Sequence, residues 1–470
     1  MPSLFLRLVS PVAKIVPSIK KPEREPGFKA KLFWTGMAVL IYLVMTNVPI
    51  YGIERGAGVD IFWTLRVILA SSRGTLAELG IGPIVTGGLI LEILVGSKMI
   101  NVDLTNPEDR QLFNQASKAM AIIMTVFESS VYVFGGAYGK LNMFTATFVI
   151  LQLIIAGIMI IMLDELVQKG WGFGSGISLF IVAGVASRMV WALFSPVMDR
   201  DGYFHGIIPA LLQALLGGGS VSDLIVRYGL PDLIGLTTTI GMIIIIIYFE
   251  TMKIEIPVEH KLHRFRFRYP LKFMFSSNVP VILAGALFAN VMFFSQMLWN
   301  RYYGNFFVSL LGSWIVENGR PIPTGGLAYF VVPPNGILHS IENPYQAIGY
   351  LLILVVSCYY FALTWVEIAG IGPEKIAEQL MSSGLGIPGL RRTKRVITDY
   401  LRPYVNVAAG FSGILIGLIA GIADIFGAYA SGSGLLLAVS ILNSLYEEIA
   451  RKYAEEMSAP LRKFLIGKIG

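Results

Sequence analysis

The chain has 470 residues, of which 55% are hydrophobic and only 14% are charged, and its mean hydropathy is +0.68. These values exclude an ordinary soluble domain, which needs more polar surface. The formal net charge of +7 comes from basic segments that alternate with long apolar runs, a pattern that indicates a multi-spanning membrane protein.

Ten apolar runs are predicted to cross the membrane, because a helix of about 20 mostly apolar residues spans the hydrocarbon layer. Within lipid every backbone polar group needs a partner inside the segment, so such runs are expected to be helical. In chain order the predicted spans are 32–50, 76–97, 114–136, 143–167, 174–195, 231–252, 278–299, 345–367, 404–426 and 433–450.

The N-terminal residues 1–31 are basic and interrupted by prolines, and the first continuous apolar run begins at Leu32. We therefore do not expect a cleaved signal peptide. Apolar residues recur at helical spacing from Leu4 to Ile15, which predicts a short helix on the cytoplasmic face. A disordered basic tail is an equally good interpretation of this segment.

Residues 58–75 are apolar but too short to span the membrane, since the apolar pattern ends before Ser71. They predict a short helix on the far side of the membrane, folded into or against the helix bundle. A surface helix at the interface is the alternative. The apolar residues that share one helical face are Phe62, Leu65, Ile68 and Leu69.

The distribution of lysine and arginine predicts the orientation. Ten crossings place both termini on one side, and the segments of that side carry 28 of the 37 lysines and arginines. By the positive-inside rule both termini are cytoplasmic.

The spans divide into five before and five after a glycine-rich external segment, which predicts an inverted repeat although the two halves show no convincing residue similarity. The predicted parts are 1–195, 196–230 and 231–470.

Motifs of the common enzyme classes are missing from the sequence, and we expect neither catalysis nor a metal or cofactor. It has no phosphate-binding loop and no HExxH pattern. Its one cysteine, Cys358, excludes an internal disulfide. Asp164 and Asp424 lie near the ends of predicted spans, which argues against an intramembrane aspartyl protease.

Glu128 lies midway along the third span, where a carboxylate is costly and normally faces the bundle interior or water. A proton-coupled transporter would usually bring several such groups together, so a passive pore is favoured and a secondary transporter with inverted repeats is the alternative.

On the ninth span Gly413, Gly417 and Gly421 recur at a spacing that lets helices pack closely.

Four stretches, taken in order, resemble the SecY family of protein-conducting channels, and the form IGPIV is similar to its archaeal members. The resemblance covers nearly the whole chain and implies an all-α channel with ten transmembrane helices in two pseudo-symmetric halves around a central pore. Polypeptides would cross through this pore or leave sideways into lipid. The stretches are GTLAELGIGPIVTGGLILEILVGS (74–97), GFGSGISLFIVAG (172–184), SNVPVILAGALFAN (277–290) and GSGLLLAVSI (432–441).

The resemblance also implies the roles of individual residues. An apolar ring at the waist of the pore would exclude water and ions by dewetting. The short helix at about 61–72, with Phe62, Leu65, Ile68 and Leu69, would be the plug of the pore. Thr86, Glu128 and Asn290 would line a lateral gate. The ring would consist of Ile81, Val85, Ile177, Ile181, Ile282 and Leu437.

Two basic segments, 253–272 and 370–402, would dock a ribosome in this family, where arginine side chains meet RNA phosphates. Alternation of aromatic and basic residues in the first segment predicts an extended hairpin arm. The implied partners are the ribosome, nascent chains with their signal sequences, lipid, and the two small membrane subunits SecE (gamma type) and beta. The implied docking residues are Lys261, Arg264, Arg266, Arg268, Arg391, Arg392, Lys394 and Arg395.

Overall fold

The protein is mainly helical in a computed structural model of the chain. The structure describes all residues except 1–5, 7–8, 15, 54–69, 97–98, 101, 103–105, 136–137, 140, 200–201, 218–219, 261–265, 275–278, 318–319, 335, 369–370 and 457–470. The α-helices in chain order are α1 (Phe28–Met45), α2 (Gly82–Gly96), α3 (Pro107–Phe134), α4 (Met143–Leu166), α5 (Gly176–Phe194), α6 (Ile207–Gly217), α7 (Leu233–Thr251), α8 (Val279–Arg301), α9 (Phe306–Leu311), α10 (Leu327–Val331), α11 (Gly336–Glu342), α12 (Pro344–Ile368), α13 (Pro373–Ser382), α14 (Lys394–Ile425) and α15 (Gly432–Glu456).

Each of the ten predicted spans corresponds to an α-helix in the structure, so the helical fold class is confirmed. In the described part of the chain, eight helices are long and apolar enough to cross a membrane, namely α1, α3, α4, α5, α7, α8, α12 and α14. The helix α2 is apolar but has only 15 residues. The helix α15 has 25 residues, and its second half carries charged side chains.

The predicted ends of several spans were wrong by up to ten residues. The helix α2 begins at Gly82 rather than at residue 76, because Gly80 has a φ of 55° and the preceding residues form turns. The helix α14 begins at Lys394 rather than at residue 404. Its first turns precede the apolar run and carry Ile397 and Leu401. Both side chains are fully buried in an apolar core. Tertiary packing therefore extends this helix beyond its apolar pattern.

The chain forms two compact units, Met1–Ser187 with Ile315–Ile322 and Ile441–Gly470, and Arg188–Trp314 with Pro323–Ser440. In the first unit α3 packs against both α2 and α4. A 3₁₀-helix at Ser10–Lys14 packs on α3. Near the N-terminus a short helix is thus present, as one of the two interpretations predicted, while Leu4 and Ile15 lie outside the described residues.

In the second unit α12 packs along α14, and the predicted small-residue stripe forms their contact. A Cβ atom on Gly413 would lie 2.6 Å from the carbonyl oxygen of Cys358, and one on Gly417 would lie 2.7 Å from the Cα of Val355. These separations leave no room for a side chain. The prediction that the glycines allow close helix packing is therefore confirmed.

The predicted hairpin arm is present in the second unit. The strands β1 (Lys253–His260) and β2 (Arg266–Lys272) pair in antiparallel register, with Val258 opposite Phe267. A second hairpin consists of β3 (Ser313–Glu317) and β4 (Arg320–Gly325). The short strand β5 (Leu385–Gly386) adds to β1 and forms a sheet in the order β2-β1-β5.

The sheet formed by β1, β2 and β5 has its own apolar core. Ile256 and Leu271 of the sheet are buried with Leu380 of α13 and with Ile397 and Leu401 of α14. The two basic segments of the sequence therefore belong to one packed body within the second unit.

The segment between the two predicted halves is folded within the described residues. It contains α6 and a 3₁₀-helix at Val221–Leu224. The Arg227 guanidinium is buried and donates hydrogen bonds to the carbonyl oxygens of Phe204, His205 and Pro231 at 3.1–3.3 Å. Division of the chain at this segment remains a prediction.

Candidate pore and gate

The predicted plug lies mostly outside the described residues, which resume at Ala70. Of the plug candidates, Phe62, Leu65, Ile68 and Leu69 belong to the part that is not described. The residues from Ala70 to Ser72 are not helical, and Ala70 has a φ of 49°. The Tyr42 hydroxyl of α1 donates a hydrogen bond to the Ala70 carbonyl. Ala70, the first described residue of this stretch, is therefore hydrogen-bonded to α1.

Two of the predicted ring residues lie at the start of α2. Ile81 directly precedes the helix and is only 1% exposed, and Val85 follows one turn later and is half-buried. The backbone N–H of Val85 donates to the carbonyl oxygen of Ile81 at 3.1 Å. The two apolar side chains are thus successive positions on one face of the helix.

Two further ring residues of the first unit lie on α5. Ile181 is 3% exposed and Ile177 is half-buried. The neighbouring ring of Phe180 stacks on Tyr42, with centroids 4.6 Å apart and planes inclined by 22°. In the second unit Ile282 on α8 is half-buried and Leu437 on α15 is fully buried. The six-membered ring that combines both units remains a prediction.

The predicted gate residues Thr86 and Glu128 are brought together in the first unit. The Thr86 hydroxyl lies 2.8 Å from Glu128 Oε1 and 2.9 Å from the Gly82 carbonyl oxygen of its own helix. The two helices approach closely here, since a Cβ atom on Gly87 would lie 2.8 Å from the backbone nitrogen of Ala121. The carboxylate in mid-helix therefore has a specific donor.

The third predicted gate residue, Asn290, lies on α8 in the second unit. Its side chain is exposed, and Nδ2 donates to the Ala286 carbonyl oxygen of the same helix at 2.9 Å. This bond is local to one turn of α8. A gate between Asn290 and the Thr86–Glu128 pair stays a prediction.

The predicted docking residues differ in their environment. Arg391, Arg392 and Arg395 are exposed. Lys394 forms an ion pair with Glu378 of α13, and this hydrogen bond lowers the pKa of the Glu378 carboxyl. Arg268 pairs with Glu255 across the hairpin. Arg266 lies on β2, whereas Lys261 and Arg264 lie outside the described residues.

Asp164 and Asp424 are functional candidates that the sequence analysis did not identify. Each accepts a backbone N–H from the first turn of the helix that follows it. A Ser-Gly pair at the start of both following helices was the available signal. Within the described part of the chain, no three histidine, cysteine, aspartate or glutamate side chains lie close enough together to hold a metal ion.

Family models match nearly the whole chain. Residues 75–446 match the model of SecY, and residues 40–74 match the model of the plug domain of Sec61p. The protein translocase subunit SecY of Pyrococcus horikoshii is 40% identical over 466 residues, which cover 97% of this chain and 98% of that protein.

Solved channel structures have the same fold. A structure described as a protein-conducting channel has a TM-score of 0.79 and 35% sequence identity, and the match covers 95% of this chain and 98% of the other. The Sec61 channel in a canine ribosome–channel complex from the endoplasmic reticulum has a TM-score of 0.75 and 34% identity, with 95% of this chain and 97% of the other covered.

Proposed function

The chain belongs to the SecY family and is a multi-pass membrane protein of a protein-conducting channel, and we propose that it is the central pore-forming subunit. In this proposal secretory polypeptides cross the cell membrane through its centre, and apolar segments leave sideways into lipid. The observation that carries the proposal is the 35% identity to a solved protein-conducting channel over 95% of this chain.

The waist of the pore is the proposed ring of Ile81, Val85, Ile177, Ile181, Ile282 and Leu437. All six side chains are aliphatic, and the described environment leaves each one buried or half-buried. A narrow apolar constriction stays free of water, so it blocks ions. It offers no fixed hydrogen-bonding pattern, so it accepts peptide chains of any sequence.

The lateral gate is the proposed role of Thr86, Glu128 and Asn290. A carboxylate at membrane depth needs a donor or water, and the Thr86 hydroxyl supplies a donor at 2.8 Å. When the gate opens toward lipid, polar contacts between its edges are lost. An apolar signal sequence that packs into the opening offsets this loss, so the gate would respond to hydrophobic segments.

The plug is assigned to the stretch at about 61–72, including Phe62, Leu65, Ile68 and Leu69. The match of residues 40–74 to the plug domain of Sec61p supports this assignment. In the resting channel the plug would occupy the external side of the pore and add to the seal of the ring.

The ribosome is the proposed driving partner, since the similar Sec61 channel has been solved in a ribosome–channel complex. The docking residues would be Lys261, Arg264, Arg266, Arg268, Arg391, Arg392, Lys394 and Arg395. Both basic segments share one apolar core, which supports a single docking body. Both termini would be cytoplasmic, and SecE (gamma type) and beta subunits would complete a heterotrimer.

Crosslinking tests this function directly. A photoreactive residue placed at Ile181 or Leu437 should react with a ribosome-bound nascent chain stalled during translocation. The same probe at Leu151, an exposed residue of α4, serves as the control and should react with lipid instead. Equal reaction of nascent chains at Leu151 and at the ring would contradict a central pore.

Ion conductance separates the channel from a secondary transporter. Deletion of residues 61–72 should let reconstituted vesicles leak ions, because the proposed plug contributes to the seal. A transporter with a small-solute site would stay tight to ions after this deletion.

A further inference from the structure

Two aspartates occupy corresponding places in the two units. Asp164 lies near the end of α4 and Asp424 near the end of α14, and each is 6% exposed. One carboxylate oxygen of each reaches the next spanning helix. Asp164 Oδ1 accepts the N–H of Ile177 at 3.0 Å, and Asp424 Oδ1 accepts the N–H of Gly432 at 2.7 Å. Each aspartate thus holds the first turn of α5 or of α15.

The second oxygen of each carboxylate is also bound. Asp164 Oδ2 accepts from Gln168 Nε2 at 2.8 Å, and Asp424 Oδ2 accepts from the Tyr350 hydroxyl at 2.8 Å. Because both oxygens have donors, neither carboxylate is free to rotate. The helix start is therefore fixed to the end of the preceding helix in both units.

The serine, the glycine and the ring residue have the same spacing along the sequence in the two capped helices. Ser175 precedes α5 and its Oγ accepts the N–H of Ser178 at 3.2 Å, and the Oγ of Ser431 before α15 accepts the N–H of Gly434 at 3.2 Å. A glycine follows each of these two serines. Counted from that glycine, Ile181 and Leu437 occupy the same, fifth following position.

The glycines make this close approach possible. A Cβ atom on Gly176 would lie 2.5 Å from the Cα of Asp164, and one on Gly432 would overlap the carbonyl oxygen of Ala420. Any larger residue would push the start of each helix away from the end of the preceding helix. In each unit the Ser-Gly pair and the buried aspartate therefore fix the start of the helix together.

The capped helix ends lie close to the ring residues and need hydrogen-bond acceptors. At about 1.5 Å of rise per residue, Ile181 and Leu437 lie about 7.5 Å from the capped ends. The first N–H groups of a helix have no partner in the helix itself. The buried carboxylates of Asp164 and Asp424 supply acceptors for N–H groups of this kind.

We propose that Asp164 and Asp424 are positioning residues that fix the axial position of Ile181 and Leu437, and that they thereby hold the pore ring closed. This inference rests on the proposed ring. Without its aspartate, the first turn of α5 or α15 unwinds or shifts to reach another acceptor, and the ring side chain moves with it.

Ion flux through vesicles that contain the complete channel complex tests this proposal. In Asp164→Ala and Asp424→Ala the acceptor is lost, and flux should rise about fivefold, the equivalent of about 1 kcal/mol. In Asp164→Asn and Asp424→Asn the amide oxygen accepts the same N–H, so flux should stay at the wild-type level. This rescue separates hydrogen-bond acceptance from a requirement for charge.

A third helix cap provides the matched control. Asp232 Oδ1 accepts the N–H of Gly235 at 2.6 Å at the start of α7, which carries no proposed ring residue. Asp232→Ala should lower the melting temperature without raising ion flux. If the alanine variants at Asp164 and Asp424 fail to assemble, Ser175→Ala and Ser431→Ala remove the second cap bond, leave the aspartates in place and should still raise flux.

Three results would overturn the proposal. They are wild-type flux in the alanine variants, equal leakage of the asparagine and alanine variants, and a leak from Asp232→Ala as large as the others. Ile181→Asn in the same assay separates this inference from the ring. If Ile181→Asn leaks while the aspartate variants stay sealed, the ring stands and the positioning role fails. If Ile181→Asn also stays sealed, the ring assignment fails, and the positioning inference fails with it.

Discussion

The Thr86 hydroxyl on α2 donates a 2.8 Å hydrogen bond to Oε1 of Glu128 on α3, and this bond joins two adjacent helices. Thr86 also approaches the Gly82 carbonyl oxygen at 2.9 Å, so its single proton is shared between two acceptors. In the proposed gate both residues belong to the same edge. Their bond gives that edge a fixed polar group before any signal sequence arrives.

Loss of the Thr86 hydroxyl should destabilise the channel. Thr86→Val keeps the shape of the side chain but removes a donor to the half-buried Glu128 carboxylate, and a typical intramolecular hydrogen bond contributes about 0.5–1.5 kcal/mol to stability. Thr86→Ser retains the donor and is the matched control. Thermal unfolding in detergent should give a lower melting temperature for the valine variant than for the serine variant. Equal melting temperatures would show that the bond contributes nothing to stability.

Asn290→Leu should make the channel accept weaker signal sequences. The amide of Asn290 is exposed, and opening the proposed gate toward lipid would bring this polar group into hydrocarbon. Leucine removes that cost of opening, and a change of about 1.4 kcal/mol alters the open–closed ratio tenfold. Translocation of a reporter with a shortened signal measures the effect. Asn290→Gln keeps the amide. Increased translocation of the shortened-signal reporter by the Asn290→Gln variant would contradict the polar mechanism.

Asparagine at Ile181 or Ile282 should loosen the seal of the pore. A polar side chain at the constriction binds water and lowers the advantage of the closed state. Both variants should admit proteins with defective signal sequences, which a secretion assay detects. Ile181→Leu preserves the apolar character and should behave as the wild type. Unchanged stringency in both asparagine variants would contradict the ring assignment.

Apolar periodicity and run length were sufficient to predict the ten helices, since a run long enough for lipid has no other stable form. The helix starts could not be predicted as well. The helix α14 begins at Lys394 because Ile397 and Leu401 are buried against a sheet that is distant in sequence. The roles of Asp164 and Asp424 depend on contacts between successive helices, which a single sequence does not display. Pairing of Thr86 with Glu128 likewise needed the packing of α2 on α3.

Charge reversal at Arg391 and Arg392 should weaken ribosome binding at low salt. Both side chains are exposed, and contacts between exposed charges are screened over about 10 Å at 0.1 M ionic strength. The difference from the wild type should therefore shrink as salt rises. Sedimentation of the reconstituted channel with ribosomes measures the binding.

The matched control for this experiment is Arg301→Glu. Arg301 is also exposed, but the predicted topology places it on the far side of the membrane. It should bind ribosomes as the wild type does. Equal binding of all variants at low salt would remove the 370–402 segment from the docking surface.

Gly417→Ala should destabilise the second unit, although alanine is the better helix former. The added Cβ would lie 2.7 Å from the Cα of Val355, so α14 would have to move away from α12. Overpacking of this kind typically costs about 1–3 kcal/mol. Gly241→Ala on α7 is the matched control, because nothing lies within 4 Å of a Cβ atom there. Its gain in helix propensity of about 1 kcal/mol should appear as an equal or higher melting temperature. A Gly417→Ala variant as stable as Gly241→Ala would show that the two helices separate at little cost, and that the glycine stripe does not fix their distance.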